Sequence, residues 1–315
     1  MFTHWHTRLI LRTLLVLPCA LVASNTGDPS DLPTFRSTVS EIRVTFFAVD
    51  ESHHPVTTLT KSDFAVVDGE RIVRDFRSFT RSDENALDVV ALVDLSESVA
   101  PRFRDAINDV LQMVAREQSI PDDNIAVLSF GGTRGGMQPA VLCSSGCGAS
   151  DSTSRLLAVK SGGMTALFDA LVFSSDFISH RRRAGVRTAL ILFSDGNDTS
   201  SLHTPREAMQ AVLASEALVY SIDIGGPQND FSGSGHLRQI SDATGGRYFS
   251  LGSSHHDRAA TVLTAVFEDL RASYVVTYDL PSRQAGFHSL RLLPTRNLNL
   301  TFHSRNGYYY EPSVR

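Results

Sequence analysis

The sequence predicts an α/β protein in which a doubly wound, mainly parallel sheet is inserted into a split antiparallel β-sandwich-like domain. Three observations lead to this prediction. Strand and helix patterns alternate through the middle of the chain, strand patterns alone occupy both flanks, and the apolar runs of the middle are uninterrupted, as they are in buried parallel strands. The 315 residues are 42% hydrophobic and 20% charged, which is typical of a globular protein with a sizeable core.

The first residues differ in composition from the rest. Arg8 and Arg12 precede the apolar run 13–23, and polar residues follow it. This order is typical of a secretory signal peptide, which we place at residues 1–24, and the run is too short to span a bilayer. Lipid attachment at Cys19 is the alternative, but the proline before it is unlike a bacterial lipobox. We therefore expect a secreted or periplasmic protein with no membrane span after signal cleavage.

The net charge disfavours nucleic acid as a partner. The formal charge is -5 at pH 7, and removal of the two signal-peptide arginines makes the mature chain more acidic still. Proteins that bind nucleic acid neutralise phosphates with a basic surface. The sequence therefore predicts no nucleic-acid partner.

Cys143 and Cys147 are the cysteines that remain after signal cleavage, and Gly146 lies between them. In an exported protein, so close a pair with a glycine to relax the turn predicts a small-loop disulfide. Zinc would require further soft ligands nearby, and a redox-active pair usually has a two-residue spacing.

Both flanks of the chain show strand patterns. Strands are predicted at 42–48, 64–67 and 72–76 before the middle part, and at 274–278, 287–293, 298–303 and 308–310 after it. Neither flank alone carries enough core to be stable. We therefore expect residues 25–85 and 273–315 to pair into one β domain, with an α/β domain of residues 86–272 inserted between them.

The middle part alternates strands with amphipathic helices. Strands are predicted at 89–93, 125–130, 189–193 and 217–222, and helical spacing is found at 103–114, after 167, after 204 and at 259–270. Thr204 and Glu207 have the spacing of a capping box around a proline at the first helical position. This alternation predicts a mainly parallel sheet with helices on both sides.

The stretch 94–98 is the strongest functional signal. Asp94, Ser96 and Ser98 follow directly on the buried apolar strand 89–93. Alternate residues of a tight loop can face one ion, so this spacing suggests a site for a hard cation at the carboxyl edge of the sheet. Taken alone, the same residues fit the start of a helix equally well.

Two further loops carry oxygen ligands to the same edge. Thr165 follows a glycine-rich turn and stands at the start of a helix, and Asp195 closes the strand 189–193 within an Asp-Gly pair. The carboxyl ends of parallel strands meet at one edge of a sheet. Three oxygen-bearing loops are therefore expected to converge.

These residues resemble the von Willebrand factor type A (VWA) domain and its metal-ion-dependent adhesion site, with the pattern Asp94-x-Ser96-x-Ser98, then Thr165, then Asp195. The resemblance covers the whole middle part. The flanks are similar to a bacterial exported group, the VWA-related proteins of Acidobacteria, through the motifs at 59–64, 67–69 and 305–309.

The resemblance implies a role for each residue of this set. Serine hydroxyls would ligate the cation, the threonine would do so directly or through water, and the two aspartates would hold it directly or through ordered water. Oxygen-only ligands favour Mg²⁺, with Mn²⁺ or Ca²⁺ as alternative occupants. Because few carboxylates bind directly, an acidic residue of a partner protein would complete the coordination.

We therefore predict a metal-dependent protein-binding or adhesion protein without catalysis of its own. A structural or assembly factor of the cell envelope, in which the metal only stabilises the loop edge, is the second hypothesis. A hydrolase using Ser194, Asp195 and His203 is a distant third, because no serine lies in a nucleophile-elbow pattern. The glycine-rich stretch 131–136 lacks the lysine and spacing of a nucleotide-binding loop and is interpreted as a flexible connection.

Overall fold

The computed structural model describes residues 41–81, 86–116, 124–131, 139–225, 231–252 and 255–312. Four strands come first: β1 (Glu41–Val49), β2 (Phe64–Asp68), β3 (Arg71–Val73) and β4 (Ser78–Arg81). The middle part contains β5 (Leu87–Asp94), a short 3-10 helix (Glu97–Val99), α1 (Phe103–Arg116), β6 (Ile125–Phe130), β7 (Ala140–Cys143), α2 (Ser150–Ala158), α3 (Leu167–Arg181), β8 (Arg187–Ser194), α4 (Pro205–Ser215), β9 (Leu218–Asp223), α5 (Phe231–Thr244), β10 (Tyr248–Ser250) and α6 (His255–Arg271). The last strands are β11 (Tyr274–Asp279), β12 (Gly286–Pro294), β13 (Thr301–Ser304) and β14 (Gly307–Tyr310).

The central sheet has the strand order β10-β9-β8-β5-β6-β7. All neighbours from β10 to β6 pair in parallel, and β7 is an antiparallel edge strand. Strands β5 and β8 are buried along almost their whole length, which explains why their sequences are continuous apolar runs. The predicted mainly parallel sheet is confirmed.

Helices cover both faces of this sheet. Apolar side chains of α1, α2 and α6 pack on one face, where Ile107 and Val266 are fully buried. Those of α3, α4 and α5 pack on the other, where Leu171 and Val212 are fully buried. The sheet is therefore doubly wound, as the alternation of elements predicts.

The flanking strands form two four-stranded antiparallel sheets, with the orders β13-β1-β11-β4 and β14-β12-β2-β3. A third apolar cluster lies between them and includes Phe46, Phe64 and Tyr274. Each sheet contains strands from before and after the α/β part, so neither flank builds a sheet alone. The split β-sandwich-like domain of the prediction is confirmed.

The chain passes between the two domains at the end of α6. Helix α6 leads directly into β11, which pairs with β1 in the register Val44↔Val276. The buried Arg187 on β8 donates hydrogen bonds to Leu270 O and to Ser273 Oγ, both at 2.6 Å. The guanidinium thereby ties the end of α6 to the central sheet.

Several elements differ from the prediction. The strand expected at 72–76 ends at Val73, because only Arg71–Val73 pair with β2 before the chain crosses to the other sheet as β4. Phe47 on β1 is fully buried and belongs to the apolar cluster of the α/β part. The elements β4, β7, α2, α5 and β10 were not predicted, and the strand expected at 298–303 forms only at Thr301–Ser304.

Some predictions are not tested by these residues. The signal peptide at 1–24 lies outside the described residues. The domain boundaries at residues 85/86 and 272/273 stay predictions. In the described part of the chain, no helix combines the length and the apolar character needed to span a membrane.

Candidate metal centre

The carboxyl ends of the neighbouring strands β5 and β8 carry the candidate site. Asp94 is the last residue of β5, and Asp195 directly follows β8. Asp94, Ser96, Thr165 and Asp195 are each at most 3% exposed, whereas Ser98 is exposed. The sheet therefore places these residues at one edge, with Ser98 as the exposed member of the set.

Asp94 is the buried centre of this group. Its Oδ1 accepts a hydrogen bond from Ser96 N at 2.8 Å, and its Oδ2 accepts one from Ser194 Oγ at 2.7 Å. Burial raises the pKa of Asp94 to about 7, and the nearby charge of Asp195 acts in the same direction. A cation at this position would offset both effects, so the carboxylate fits a metal ligand.

The hydroxyls of Ser96 and Ser98 lie beside each other, with the two Oγ atoms 3.1 Å apart. The extended backbone of Ser96 (φ -62°, ψ 168°) precedes the short 3-10 helix, which turns Ser98 back towards it. Two neutral oxygens this close can face a common ion.

Backbone hydrogen bonds join the first loop to the glycine-rich turn. Gly162 N donates to Leu95 O at 2.7 Å, and Glu97 N donates to Gly163 O at 3.1 Å. Leu95 and Glu97 are the neighbours of Ser96, and Gly162 and Gly163 come shortly before Thr165. The two hydrogen bonds therefore hold the loop of Ser96 against the loop of Thr165.

The third loop is bonded to Thr165 itself. The carbonyl oxygen of Thr165 accepts from Thr199 N at 2.8 Å and from Ser200 N at 3.0 Å. Thr165 N donates to Thr199 Oγ1 at 3.0 Å. These contacts use the backbone of Thr165, so its position does not depend on its own hydroxyl.

The loop of Asp195 is shaped by a close backbone approach. Asp195 Oδ1 accepts a hydrogen bond from Asn197 N at 3.0 Å. The intervening Gly196 has φ +78°, and a Cβ there would collide with the carbonyl of Gly233 at the start of α5. Only glycine tolerates both the positive φ and the absence of space for a Cβ, so position 196 requires glycine.

Three residues contribute to the site although the sequence does not assign them this role. Ser194 donates to Asp94 and accepts from Gly196 N at 3.0 Å. A Cβ on Gly131 would lie 2.8 Å from Ser96 N, so this glycine lets the two loops approach. His236 lines the site through its position on α5. Ser194 could have been found from the sequence, because it is a hydroxyl residue at the end of a predicted strand. Gly131 and His236 have no such local pattern, because only the folding of the chain brings them to the site.

Asp198 lines the site but is bonded to the start of a helix. Its Oδ1 accepts from Leu167 N at 2.8 Å, at the first turn of α3. A carboxylate there satisfies a free helix amide and complements the helix dipole. Asp198 therefore caps α3 from a neighbouring loop and helps hold Thr165 in place.

A cleft of about 590 Å³ opens at this edge of the sheet, and the following residues line it: Glu97, Ser98, Gly163, Met164, Thr165, Asn197, Asp198, Thr199 and His236. The exposed Ser98 and the buried Thr165 both contribute to its wall. The candidate centre is thus accessible to a large ligand from one side.

The geometry does not support the serine hydrolase hypothesis. Ser194 is fully buried, and its hydroxyl is engaged by Asp94. His203 Nδ1 lies 2.8 Å from Asp169, on the exposed start of α3. Ser194 therefore has a positioning role towards Asp94.

Other metal-binding patterns are absent from the described residues, where no group of three or more His, Cys, Asp or Glu could hold an ion. The candidate centre relies on hydroxyls together with two carboxylates. Away from it, Cys143 and Cys147 form a disulfide at the end of β7, with Cα atoms 5.7 Å apart.

The fold and the site together define a doubly wound α/β protein with oxygen ligands on loops at the carboxyl edge of its sheet. The family model of the von Willebrand factor type A domain matches residues 88–260, more than half of the chain. The chain therefore belongs to the VWA family, whose domains bind protein ligands through a metal-ion-dependent adhesion site. A comparison with curated protein sequences found no match.

Solved structures with remote similarity include three proteins of different origin. An aerotolerance-related membrane protein from Bacteroides fragilis NCTC 9343, with multiple mutations to serines, is 16% identical, over 59% of this chain and 98% of that chain, with a TM-score of 0.44. Manganese-loaded TRAP protein from Plasmodium vivax is 15% identical, over 78% and 98%, with a TM-score of 0.44. Proximal thread matrix protein 1 from the mussel byssus, with a zinc-occupied MIDAS motif, is 17% identical, over 64% and 50%, with a TM-score of 0.48.

Proposed function

We propose that this protein is an exported binding protein that holds a divalent cation, preferentially Mg²⁺, and uses it to capture an acidic side chain of a partner protein. The ligands would be Asp94, Ser96, Ser98, Thr165 and Asp195. The family is one of interaction domains that are typically not enzymes, and we extend that property to this chain.

The observation that carries the proposal is the environment of Asp94. This carboxylate is fully buried, and it has hydroxyl and amide donors but no ion pair with a basic side chain among the described residues. Burying a charge without an opposite charge is costly. A cation bound beside Ser96 and Ser98 would remove that cost.

The ligand chemistry favours a hard cation. Every candidate ligand atom is a hydroxyl or carboxylate oxygen, the set that suits Mg²⁺, Ca²⁺ and Mn²⁺. Since Ser98 is exposed and lies at the cleft, a partner can approach from that side. The set offers five side chains, whereas Mg²⁺ takes six ligands, so a carboxylate of the partner could occupy the remaining position.

The partner and compartment follow from separate features. The formal charge of -5 favours a protein over a nucleic acid as the ligand. The Cys143–Cys147 disulfide is compatible with an oxidising compartment, which supports export to the periplasm or the medium. The mass of the mature N-terminus, measured on protein purified from its host, tests the predicted cleavage.

Titration calorimetry with MgCl₂ tests the cation site. We expect Mg²⁺ to bind the unmodified protein and not Asp94→Asn, while Asp75→Asn, an exposed aspartate remote in sequence from the site, binds normally. Thr165→Ala is the second variant, because the backbone bonds of Thr165 to the third loop survive the change. Loss of Mg²⁺ binding with unchanged unfolding in EDTA would assign the effect to the hydroxyl.

The alternative structural role is separated by the partner step. Capture of a carboxylate-bearing partner that is lost in EDTA and in Thr165→Ala supports the proposal. If Mg²⁺ raises stability but capture is the same in EDTA, the metal only stabilises the loop edge, and the binding proposal is wrong.

A further inference from the structure

The cleft beside the candidate centre presents two chemically different side chains on its rim. Glu97 and Met164 are both exposed and both line the cleft, next to the proposed ligands Ser96, Ser98 and Thr165 in sequence. We infer that the partner carries a basic and an apolar side chain flanking its metal-bound carboxylate, paired with Glu97 and Met164 respectively. This inference rests on the proposed function, since it concerns the ligand of the same site.

Glu97 is held in a fixed place on the rim. It is the first residue of the short 3-10 helix, and its backbone N–H donates to Gly163 O at 3.1 Å. Its side chain makes no hydrogen bond or ion pair within the described residues. The carboxylate is therefore available to a ligand, at a position between two proposed metal ligands.

The other charges of the cleft do not neutralise Glu97. The described lining residues include Asp198 but no lysine or arginine. Asp198 already accepts hydrogen bonds from Leu167 N and Ser201 N, so its charge is partly satisfied by helix and loop amides. Glu97 is thus an acidic group on the rim that no described lysine or arginine of the cleft neutralises.

This charge restricts which acidic ligands fit. A segment with several carboxylates would gain one contact with the cation and meet repulsion from Glu97. A segment with a lysine or arginine beside a single carboxylate would satisfy both groups. One exposed ion pair between the ligand and Glu97 should raise affinity by about twofold to fivefold relative to a neutral ligand residue. Between a lysine and a glutamate at the same ligand position, the difference in log affinity should be about twice as large.

Met164 supplies the apolar part of the surface. It is 50% exposed between Gly163 and Thr165, although methionine is usually buried. Its flexible, polarisable side chain adapts to apolar ligands of different shape. A leucine-sized ligand residue on this side of the carboxylate would cover it.

Binding of short synthetic peptides tests the inference. The probes are Ac-Gly-X-Asp-Z-Gly-NH₂ peptides in which X and Z are each lysine, glutamate, leucine or serine, titrated by calorimetry in MgCl₂ and in EDTA. We expect peptides that combine lysine and leucine to bind best in Mg²⁺, and peptides with glutamate to bind worst, by about fivefold or more.

Variants assign the preferences to the two residues. Glu97→Gln should remove most of the preference for lysine over glutamate, and Glu97→Lys should invert it. Met164→Ser should remove the preference for leucine and keep that for lysine. Glu70→Gln, an exposed glutamate in the β2–β3 turn, is the matched control and should change nothing.

The outcomes separate this inference from the proposed function. If Asp-containing peptides bind in Mg²⁺ and not in EDTA, but lysine and glutamate flanks are equivalent in the unmodified protein, the cation site stands and this inference is wrong. If no peptide binds in Mg²⁺, or binding is the same in EDTA, the proposed function is wrong and the inference falls with it.

Discussion

Replacing Ser194 with alanine should destabilise the protein, whereas the same replacement at Ser175 should stabilise it. Both serines are buried, at 0% and 3% exposure. Ser194 Oγ donates to Asp94 and accepts from Gly196 N. The hydroxyl of Ser175, on α3, has no hydrogen-bond partner among the described residues. An identical chemical change therefore has opposite consequences.

The size of each effect follows from the groups left unpaired. Ser194→Ala deprives a buried carboxylate of a charge-assisted hydrogen bond and leaves Gly196 N–H without its acceptor, which together cost about 2–4 kcal/mol. Ser175→Ala removes a buried hydroxyl that gains nothing and improves helix propensity, which should stabilise by about 1 kcal/mol. The two variants should differ by about 3 kcal/mol or more.

Urea unfolding in EDTA measures this difference directly. In MgCl₂, Ser194→Ala should also bind Mg²⁺ about tenfold more weakly, because mutation of a residue that orients a metal ligand usually lowers metal affinity by about that factor. Ser175→Ala should bind Mg²⁺ with unchanged affinity. Equal free energies of unfolding for the two variants would show that Ser194 does not support Asp94, and normal Mg²⁺ affinity in Ser194→Ala would exclude its role at the cation site.

Three further predictions concern other parts of the structure. Gly131→Ala should destabilise the protein by about 1–3 kcal/mol and weaken Mg²⁺ binding. The reason is that φ of Gly131 is +74° and the new Cβ would press on Ser96 N. An unchanged calorimetric titration with MgCl₂ would contradict this prediction. Burial lowers the pKa of His303 to about 4 from 6.5, so the unfolded chain binds more protons between these values and stability should fall as the pH drops from 6.5 towards 4. His303→Phe should flatten that slope in urea unfolding, and an equal slope would refute it. Replacing Cys143 and Cys147 by serine opens a loop with a sequence separation of 4 and should lower the free energy of unfolding by about 2 kcal/mol. Urea unfolding measures this loss. A loss near zero would show that the disulfide does not stabilise the fold.

The sequence could place Asp94 and Asp195 at one edge of the sheet because a strong local pattern precedes each of them. Asp94 and Asp195 each follow an apolar run long enough to be a buried strand, and parallel strands bring such ends to one edge. Thr165 was predicted from a glycine-rich turn before a helix. What holds these loops together was not predictable, because the bonds from Glu97 to Gly163 and from Thr199 to Thr165 join residues distant in sequence.

The point at which the N-terminal flank crosses from one sheet of the β domain to the other could not be predicted from the sequence. The apolar pattern that continues past Val73 does not show where the chain leaves one sheet for the other. Strand β4 is only four residues long, and it exists because Phe79 and Thr80 pair with Val276 and Val275 of β11. A strand defined by its partner rather than by its own sequence has no local signal.

Helix α5 packs against the loop of Asp195, although its own sequence does not predict a helix. Its first turn includes Gly233, and glycine costs about 1 kcal/mol in a helix, so local propensity argued against a helix there. A Cβ at Gly233 would collide with the carbonyl of Asp195, and one at Gly196 would collide with Gly233. The helix is held instead by Leu237 and Ile240 in the core. The backbone of α5 therefore touches the backbone of the Asp195 loop at the edge of the sheet. This contact requires glycine at position 233, and the same glycine lowers the helix propensity of α5.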